Sequence, residues 1–465
     1  MRPRRPAVLI GLMVLALVAV AGIRRLDADR EYQRLLAEGE RAMAADEPHR
    51  AVGAFTAALA LRPSSMAGRY RRGEAYAALG RVDDALIDLN EARRLAPGSG
   101  EPLEGLGRLA DRRGNPAQAA VWYSEAASPT RLSAASPNLL YSLALARFRS
   151  GAPAGAIEPL KRALARDPNL AEAYFLLGLA GRDAGLPSDA ADAFLQAIRL
   201  APTLLPARAE LADLYQQERR VADEIVARRA LAALDPSADR YVDLALANLR
   251  GARTDDALAA LAQAESADPT SSRVALALGR VHIADAERRA DPAAARRALV
   301  ALERALGGTA RRSEGLALYG RALFLSGGVA EAERLLKDAV LTSPVDAEAF
   351  EYLADASERL GHALTARDAL LSLAALQGDT VAADERQRRT RRIGTLSLAA
   401  GDAASAVTHL DTIVKNGYAD AETFALLARA RLQAGDRAGA RLTATAGLST
   451  HPDSAPLQRL VRTLR

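Results

Sequence analysis

An all-α solenoid of helix pairs is the fold this sequence predicts, and three observations predict it. Prolines recur at about 34-residue intervals, as at Pro63 and Pro97 and again at Pro168, Pro202, Pro236 and Pro269. Aligned on them, the 465 residues divide into twelve units: 32–65, 66–99, 100–133, 137–170, 171–204, 205–237, 238–270, 272–312, 313–346, 347–380, 387–420 and 421–454. The eighth position of every unit is Gly or Ala: Gly39, Gly73, Gly107, Ala144, Gly178, Ala212, Ala245, Gly279, Gly320, Ala354, Gly394 and Ala428. Position 20 is alanine in eleven of the twelve, with Glu224 the exception. Alanine-rich helical sequence alone would not keep such positions in step over 400 residues. A chain built this way stacks units that each touch only their neighbours.

The second unit, Met66–Ser99, shows the local logic. Gly73 and Tyr76 fall in a first helix, which Gly80 ends as a left-handed cap would. Ala85, Leu89 and Ala92 recur at helical spacing in a second helix, and Pro97 stops it. Position 24 carries a bulky knob in most units, among them Phe55, Leu89, Tyr123, Leu160, Phe194 and Leu261. Unit six breaks the pattern with Glu224 and Arg228, four residues apart, where Ala and a bulky apolar residue belong. That spacing lets them pair on one helix face. It fits either a locally shifted helix or a softer joint in the array.

These positions and this period resemble the tetratricopeptide repeat family, over nearly the whole chain after Arg25. The resemblance implies a right-handed superhelix of about twelve antiparallel helix pairs at 26–454. Longer connections are expected near 128–137, 285–292 and 379–386. Residues 455–465 would follow as a capping helix, with Leu457, Leu460, Val461 and Leu464 turned to the last unit. The resemblance also implies a non-catalytic scaffold that binds protein segments in its concave groove. The alternative is a structural organiser subunit of a cell-envelope assembly or polysaccharide synthesis or export complex.

In this family positions 2, 5, 9, 12 and 13 face the groove. Carried over, they give a charged zone of Glu101, Glu104, Arg108, Asp111 and Arg112 in unit three. An apolar zone follows, Tyr141, Leu145 and Phe148 in unit four with Phe175 and Leu179 in unit five. Leu276, Ile283, Phe324 and Leu325 add apolar positions, and Arg388 and Arg391, near Arg386, Arg389 and Arg392, add basic ones. The apolar zone either packs between repeats or anchors a partner. The arginines form a solvated helix face, or else meet acidic protein, anionic polysaccharide or lipid headgroups. A clamp for a peptide's terminal carboxylate is not indicated: Arg71 stands where its arginine would, but Ala67 and Ala37 replace the required Lys and Asn.

Before the array, Ala7–Ile23 is 17 residues without a charge, flanked by Arg2, Arg4 and Arg5 and by Arg24 and Arg25. As a helix it spans about 25 Å, the lower limit for a bilayer. Residues 1–25 thus read as an uncleaved signal anchor, or as a secretory signal cleaved near Ala21 in Ala19-Val-Ala21. The run is longer than a usual signal core, and two arginines follow at once, which favours the anchor. The positive-inside count is nearly balanced. A short basic tail held in the cytoplasm would place the array outside it, in the periplasm or envelope; the reverse orientation leaves it cytoplasmic.

Other function classes lack their signatures. With no cysteine there are no disulfides, thiolate metal sites or cysteine nucleophiles. His49, His282, His362, His409 and His451 form no pair at metal-ligand spacing, and no GxSxG or phosphate-binding loop occurs. No enzyme activity, cofactor or metal is therefore expected. The net charge of +5 is spread over 119 formal charges with 4% aromatics, which does not indicate nucleic-acid binding.

Overall fold

The computed structural model describes residues 5–128, 135–307, 312–342, 345–378 and 381–464; ahead of Arg24, Met13 alone has a described side chain. Every regular element among them is a helix. Contacts divide the chain into two units, Met1–Glu218 and Arg219–Arg465. The first holds α1 (Arg5–Ala44), α2 (Pro48–Leu61), α3 (Met66–Ala78), α4 (Val82–Leu95), α5 (Glu101–Arg112) and α6 (Pro116–Ala126). It continues with α7 (Pro137–Arg149), α8 (Pro153–Arg166), α9 (Ala171–Asp183), α10 (Pro187–Leu200) and α11 (Leu205–Gln217). The second opens with α12 (Val221–Leu234), α13 (Ala238–Arg250), α14 (Thr254–Ala267), α15 (Ser272–Arg289), α16 (Pro292–Leu306), α17 (Arg312–Ser326) and α18 (Val329–Ala339). It closes with α19 (Ala347–Arg359), α20 (Ala363–Gln377), α21 (Ala383–Ala399), α22 (Ala403–Lys415), α23 (Ala421–Gln433), α24 (Arg437–Thr450) and α25 (Ala455–Thr463).

A tight turn makes each hairpin, and polar side chains cap some of the helices. Ser65 accepts from the Gly68 amide at the start of α3, and Ser136 from Leu139 at the start of α7. The turn inside a hairpin needs one left-handed residue, supplied by Gly80 at φ 71° and Gly185 at φ 75°. Arg219 and Ala252 hold the same turn at φ 56° without glycine's freedom.

The small-residue rule has a direct packing cause. A methyl on Gly178 would fall on the Phe194 ring, and one on Gly394 would lie 2.7 Å from Leu410 Cγ. Position 8 is therefore small because the position-24 knob rests on it. The position-20 alanines, from Ala51 to Ala440, are all 0% exposed.

Successive odd-numbered helices approach one another within each unit, as α7 and α9 do, and as α13, α15, α17 and α19 do in turn; successive even-numbered helices stand further apart. The odd helices thus form the inner layer. At the end of the second unit Leu457 is buried, and Leu460 and Val461 pack with it on Phe424 and Leu448.

Three expectations need correction. The extra residues near 285–292 form no long connection; they lengthen α15 to 18 residues, which end at left-handed Ala290. Those near 379–386 are partly helical, since α21 begins at Ala383. Unit six has no shifted helix: α12 keeps its 14 residues, and Glu224 sits in the alanine position at 0% exposure. The boundary between the two compact units falls just before this helix. Of the connection 128–137, residues 129–134 lie outside the described residues.

Among residues with described side chains no helix is long and apolar enough to cross a membrane. The expected span, 7–23, lies outside that set apart from Met13; its backbone is the first part of α1.

Candidate functional site

Two inner faces can be compared, one in each unit. On the first, α7 carries Tyr141, Leu145 and Phe148 one helical turn apart, and α9 carries Phe175 and Leu179. All five are half-buried. Tyr141, Leu145 and Phe148 lean on a core of Ala144, Leu160, Ala173 and Leu176, and the Phe175 ring lies 6.0 Å from that of Phe194. The zone therefore packs between repeats and still keeps apolar surface. Burial, with Glu172 adding and Arg149 opposing, raises the Tyr141 phenol above its ordinary range. Its hydroxyl stays protonated at neutral pH, ready to donate or accept one hydrogen bond. Arg149 and Glu172, both exposed beside it, make no ion pair among the described residues.

The neighbouring charged zone is already self-satisfied. Arg108 donates to Glu74 at 3.0 Å and to Tyr70 Oη at 2.7 Å, with Glu104 at 3.9 Å. Burial opposes the Arg108 charge, but Glu74 and Tyr70 outweigh it and hold the guanidinium protonated. Burial raises the Glu104 carboxyl. Asp111 accepts from Tyr123 Oη at 2.9 Å and so turns to its own hairpin, away from the groove. Glu101 and Arg112 are exposed.

On the second unit, two sequence-based candidates do not reach the surface. Leu276 and Ile283 are each 5% exposed and belong to the core with Leu302 and Leu318. Packing of α15 against α16 and its close approach to α17 cover them. Phe324 is half-buried, with the Arg321 and Arg359 guanidinium groups 5.2 and 5.9 Å from its ring centre. Leu325 packs half-buried on Ala286 and Ala294.

The rest of that face is a ladder of ion pairs between repeats. Arg280 reaches Glu314 at 3.1 Å and Glu348 at 3.4 Å. Arg321 reaches Glu287 at 2.8 Å and Asp355 at 2.7 Å. Arg392 reaches Asp355 at 2.7 Å and Glu358 at 2.6 Å. The expected basic patch on α21 is mostly consumed: Arg389 is buried against Glu385 at 3.0 Å, and Arg391 meets Asp420 at 2.9 Å. Arg388 is exposed. Sequence reading by groove position missed this ladder, although its signal was present in opposite charges 34 residues apart, as in Glu287 and Arg321.

No group of three or more metal-ligating side chains is present among the described residues. The arrangement offers apolar contact, one phenol and two unspent charges on α7 and α9.

A helical-repeat protein is the class these hairpins define. Residues 36–100 and 141–204 match the model of the tetratricopeptide repeat family. The first match covers α2–α4, and the second covers most of the α7–α9 face. No curated protein matches the sequence. Among solved structures the chain is similar to the C-terminal part of a TPR repeat-containing protein from Cytophaga hutchinsonii (16% identity over 52% of this chain and 99% of that one, TM-score 0.44). It is also similar to MamA (23% identity, 37% and 92%, TM-score 0.34) and to yeast Tom70 (14% identity, 80% and 96%, TM-score 0.38).

Proposed function

We propose that the protein is a non-catalytic scaffold, tethered to a membrane by residues 7–23, which binds a segment of another protein on the α7–α9 face. The observation that carries this reading is the contrast in how charge is used. Along the inner faces most charges are neutralised within the chain, whereas Arg149 and Glu172 flank a half-exposed apolar strip and have no ion-pair partner among the described residues. An amphipathic helix or extended segment would lay apolar side chains on Phe148 and Phe175 and set its register with one acidic and one basic residue. The tether is argued from sequence: 17 uncharged residues between arginines, running without a break into the first repeat as helix α1. The array then lies outside the cytoplasm, on the side opposite the short basic tail.

A photo-crosslinker at Leu145 in the full chain should capture one discrete protein, and Phe148→Ala with Phe175→Ala should reduce that capture at least tenfold while helicity stays nearly intact. Equal capture by the double variant discards the face, and capture of a multi-enzyme cluster favours the organiser role. A reporter active only outside the cytoplasm, fused after Arg30, should be active; an expressed but inactive fusion refutes the orientation.

A further inference from the structure

The connection between α22 and α23 holds a dipeptide that occurs once in the chain. Of the six asparagines only Asn416 precedes a glycine, and there is no Asp-Gly. Asn90, Asn138, Asn169 and Asn248 precede Glu or Leu, and Asn115 precedes Pro116, which has no N–H. Asn416 directly follows the last residue of α22, and Gly417 comes next at φ 77°. Both are exposed, as are Lys415 and Tyr418 on either side. The Asn416 backbone N–H donates to the Thr412 carbonyl at 3.1 Å, while its side-chain amide has no hydrogen bond among the described residues. Tyr418 stands at position 32, where Pro97 and Pro452 close their units, so no proline ring stiffens this turn.

We propose that Asn416 is a site of spontaneous deamidation, which loosens the joint between the eleventh and twelfth repeats. The Gly417 backbone nitrogen loses its proton and attacks the carbonyl carbon of the Asn416 side chain. The bond from that carbon to the side-chain nitrogen breaks, and ammonia leaves. Water then opens the resulting five-membered succinimide at either carbonyl, giving aspartate or isoaspartate. Water is the one co-reactant, and nothing is oxidised or reduced. Glycine favours the closure because it has no Cβ to crowd the attacking nitrogen. The fold sets the pace. The Gly417 N–H donates to the Val414 carbonyl at 3.1 Å, and the Tyr418 N–H to that of Ile413 at 3.2 Å. The ring therefore closes when this last turn of α22 opens, and fraying helix ends open at little cost. Either product adds a negative charge at the end of α22, where the helix dipole is already negative. Isoaspartate also lengthens the main chain by one methylene, shortly before Asp420. Asp420 caps α23 by accepting from the Thr423 amide at 2.9 Å and its hydroxyl at 2.8 Å, and it holds Arg391 of α21 at 2.9 Å. One side chain thus starts α23 and ties it back to α21, and the altered main chain displaces it. This site does not depend on the α7–α9 face.

The test keeps the full chain at pH 8 and 37 °C, digests it at intervals and follows the peptides by mass spectrometry. The peptide holding Asn416 should gain the mass by which an acid exceeds its amide and split into two chromatographic peaks. Its conversion should be at least tenfold faster than that of any other asparagine. In urea the rate should rise at least fivefold, since the turn is then open. Asn416→Gln, whose ring would be one atom larger, should stay unconverted and keep its helicity. Amide exchange at the start of α23 should be faster in the aged chain than in the fresh one, and unchanged on ageing of Asn416→Gln. A folded chain that keeps Asn416 intact while the chain in urea converts, or conversion of Asn90 or Asn169 at an equal rate, overturns the site. An equal rate in urea overturns the control by the fold, and unchanged exchange in α23 after full conversion overturns the loosening.

Discussion

The two inner faces share one backbone plan and use it in opposite ways. On α7 and α9 the groove positions hold Tyr141, Leu145, Phe148, Phe175 and Leu179, half-covered, with Arg149 and Glu172 unspent. On α15, α17, α19 and α21 the corresponding surface is closed by its own chemistry. Leu276 and Ile283 are in the core, and Arg280, Arg321 and Arg392 each bind two carboxylates. A repeat position therefore fixes where a side chain points, and the neighbours 34 residues away decide whether it is free to meet anything else. By this measure the α7–α9 face keeps apolar surface and unspent charge, and the α15–α21 face spends its charges on internal cohesion.

The largest expected effect comes from breaking that cohesion at its most buried charge. Glu224 is 0% exposed and is paired with Arg250 and, at 3.7 Å, with Arg228; Arg228 lies 3.7 Å from Asp243, which Arg273 reaches at 2.6 Å. Removing one member of a buried pair leaves the other uncompensated, at about 3–5 kcal/mol. Glu224→Ala should therefore speed amide exchange through α12 and α13. Glu172→Ala in the first unit should change local stability by less than about 0.5 kcal/mol. Local exchange is the right measure because repeat arrays need not unfold in one step. Equal effects of the two substitutions would erase the distinction between the buried pair of the second unit and the unspent charge of the first.

A smaller effect is expected at Arg321, whose partners are partly open to water. Its side chain is 15% exposed, against 41% for Glu287 and 24% for Asp355, and its guanidinium lies 5.1 Å from the Tyr352 ring centre. Arg321→Ala should cost roughly 1–3 kcal/mol in α17 and α19, since two carboxylates lose a charged donor. Solvent screening places the value toward the lower end. Capture by the α7–α9 face should not change. Raising salt to 1 M should weaken α15–α19 and leave the apolar α7–α9 contacts as strong or stronger, because screening acts on exposed ion pairs and not on apolar burial. Exchange rates that fall in both units with salt would show that the ladder contributes nothing.

Much of the fold was legible in the sequence because two positions obey hard sterics. Position 8 lies under a bulky knob and position 20 between helices, so small residues recur there and betray the period. The hairpin turns were legible for the same reason where glycine supplies them, and hidden at Arg219 and Ala252, which adopt the turn without it. The candidate face was less legible. Groove positions named Tyr141 and Phe148, which are half-buried, and equally Leu276 and Ile283, which are buried, since position alone does not report how closely α16 and α17 pack on α15. The fate of Arg391 and Arg392 depended on Asp420, Asp355 and Glu358, each far away in sequence.

The smallest effect is a pH dependence confined to the second unit. Burial lowers the His282 pKa, Arg297 lowers it further, and Asp285 partly offsets both. Its Nδ1 is buried with no hydrogen-bond partner among the described residues, so protonation would place an unsatisfied N–H and a charge there. Burial, followed by Arg367, lowers His409 in the same way. For a histidine held below its unfolded value the unfolded chain binds the proton first, so stability rises with pH across that window. The contribution is fully present above the unfolded value of 6.5 and is lost as pH falls below it toward the folded value. Amide exchange in α15, α16 and α22 should accelerate between pH 7 and pH 5, after correction for intrinsic rates. His282→Leu should remove the pH dependence from α15 and α16 while leaving that of α22, where His409 resides. A pH dependence of α15 that survives this substitution would assign the effect to the surrounding carboxylates instead.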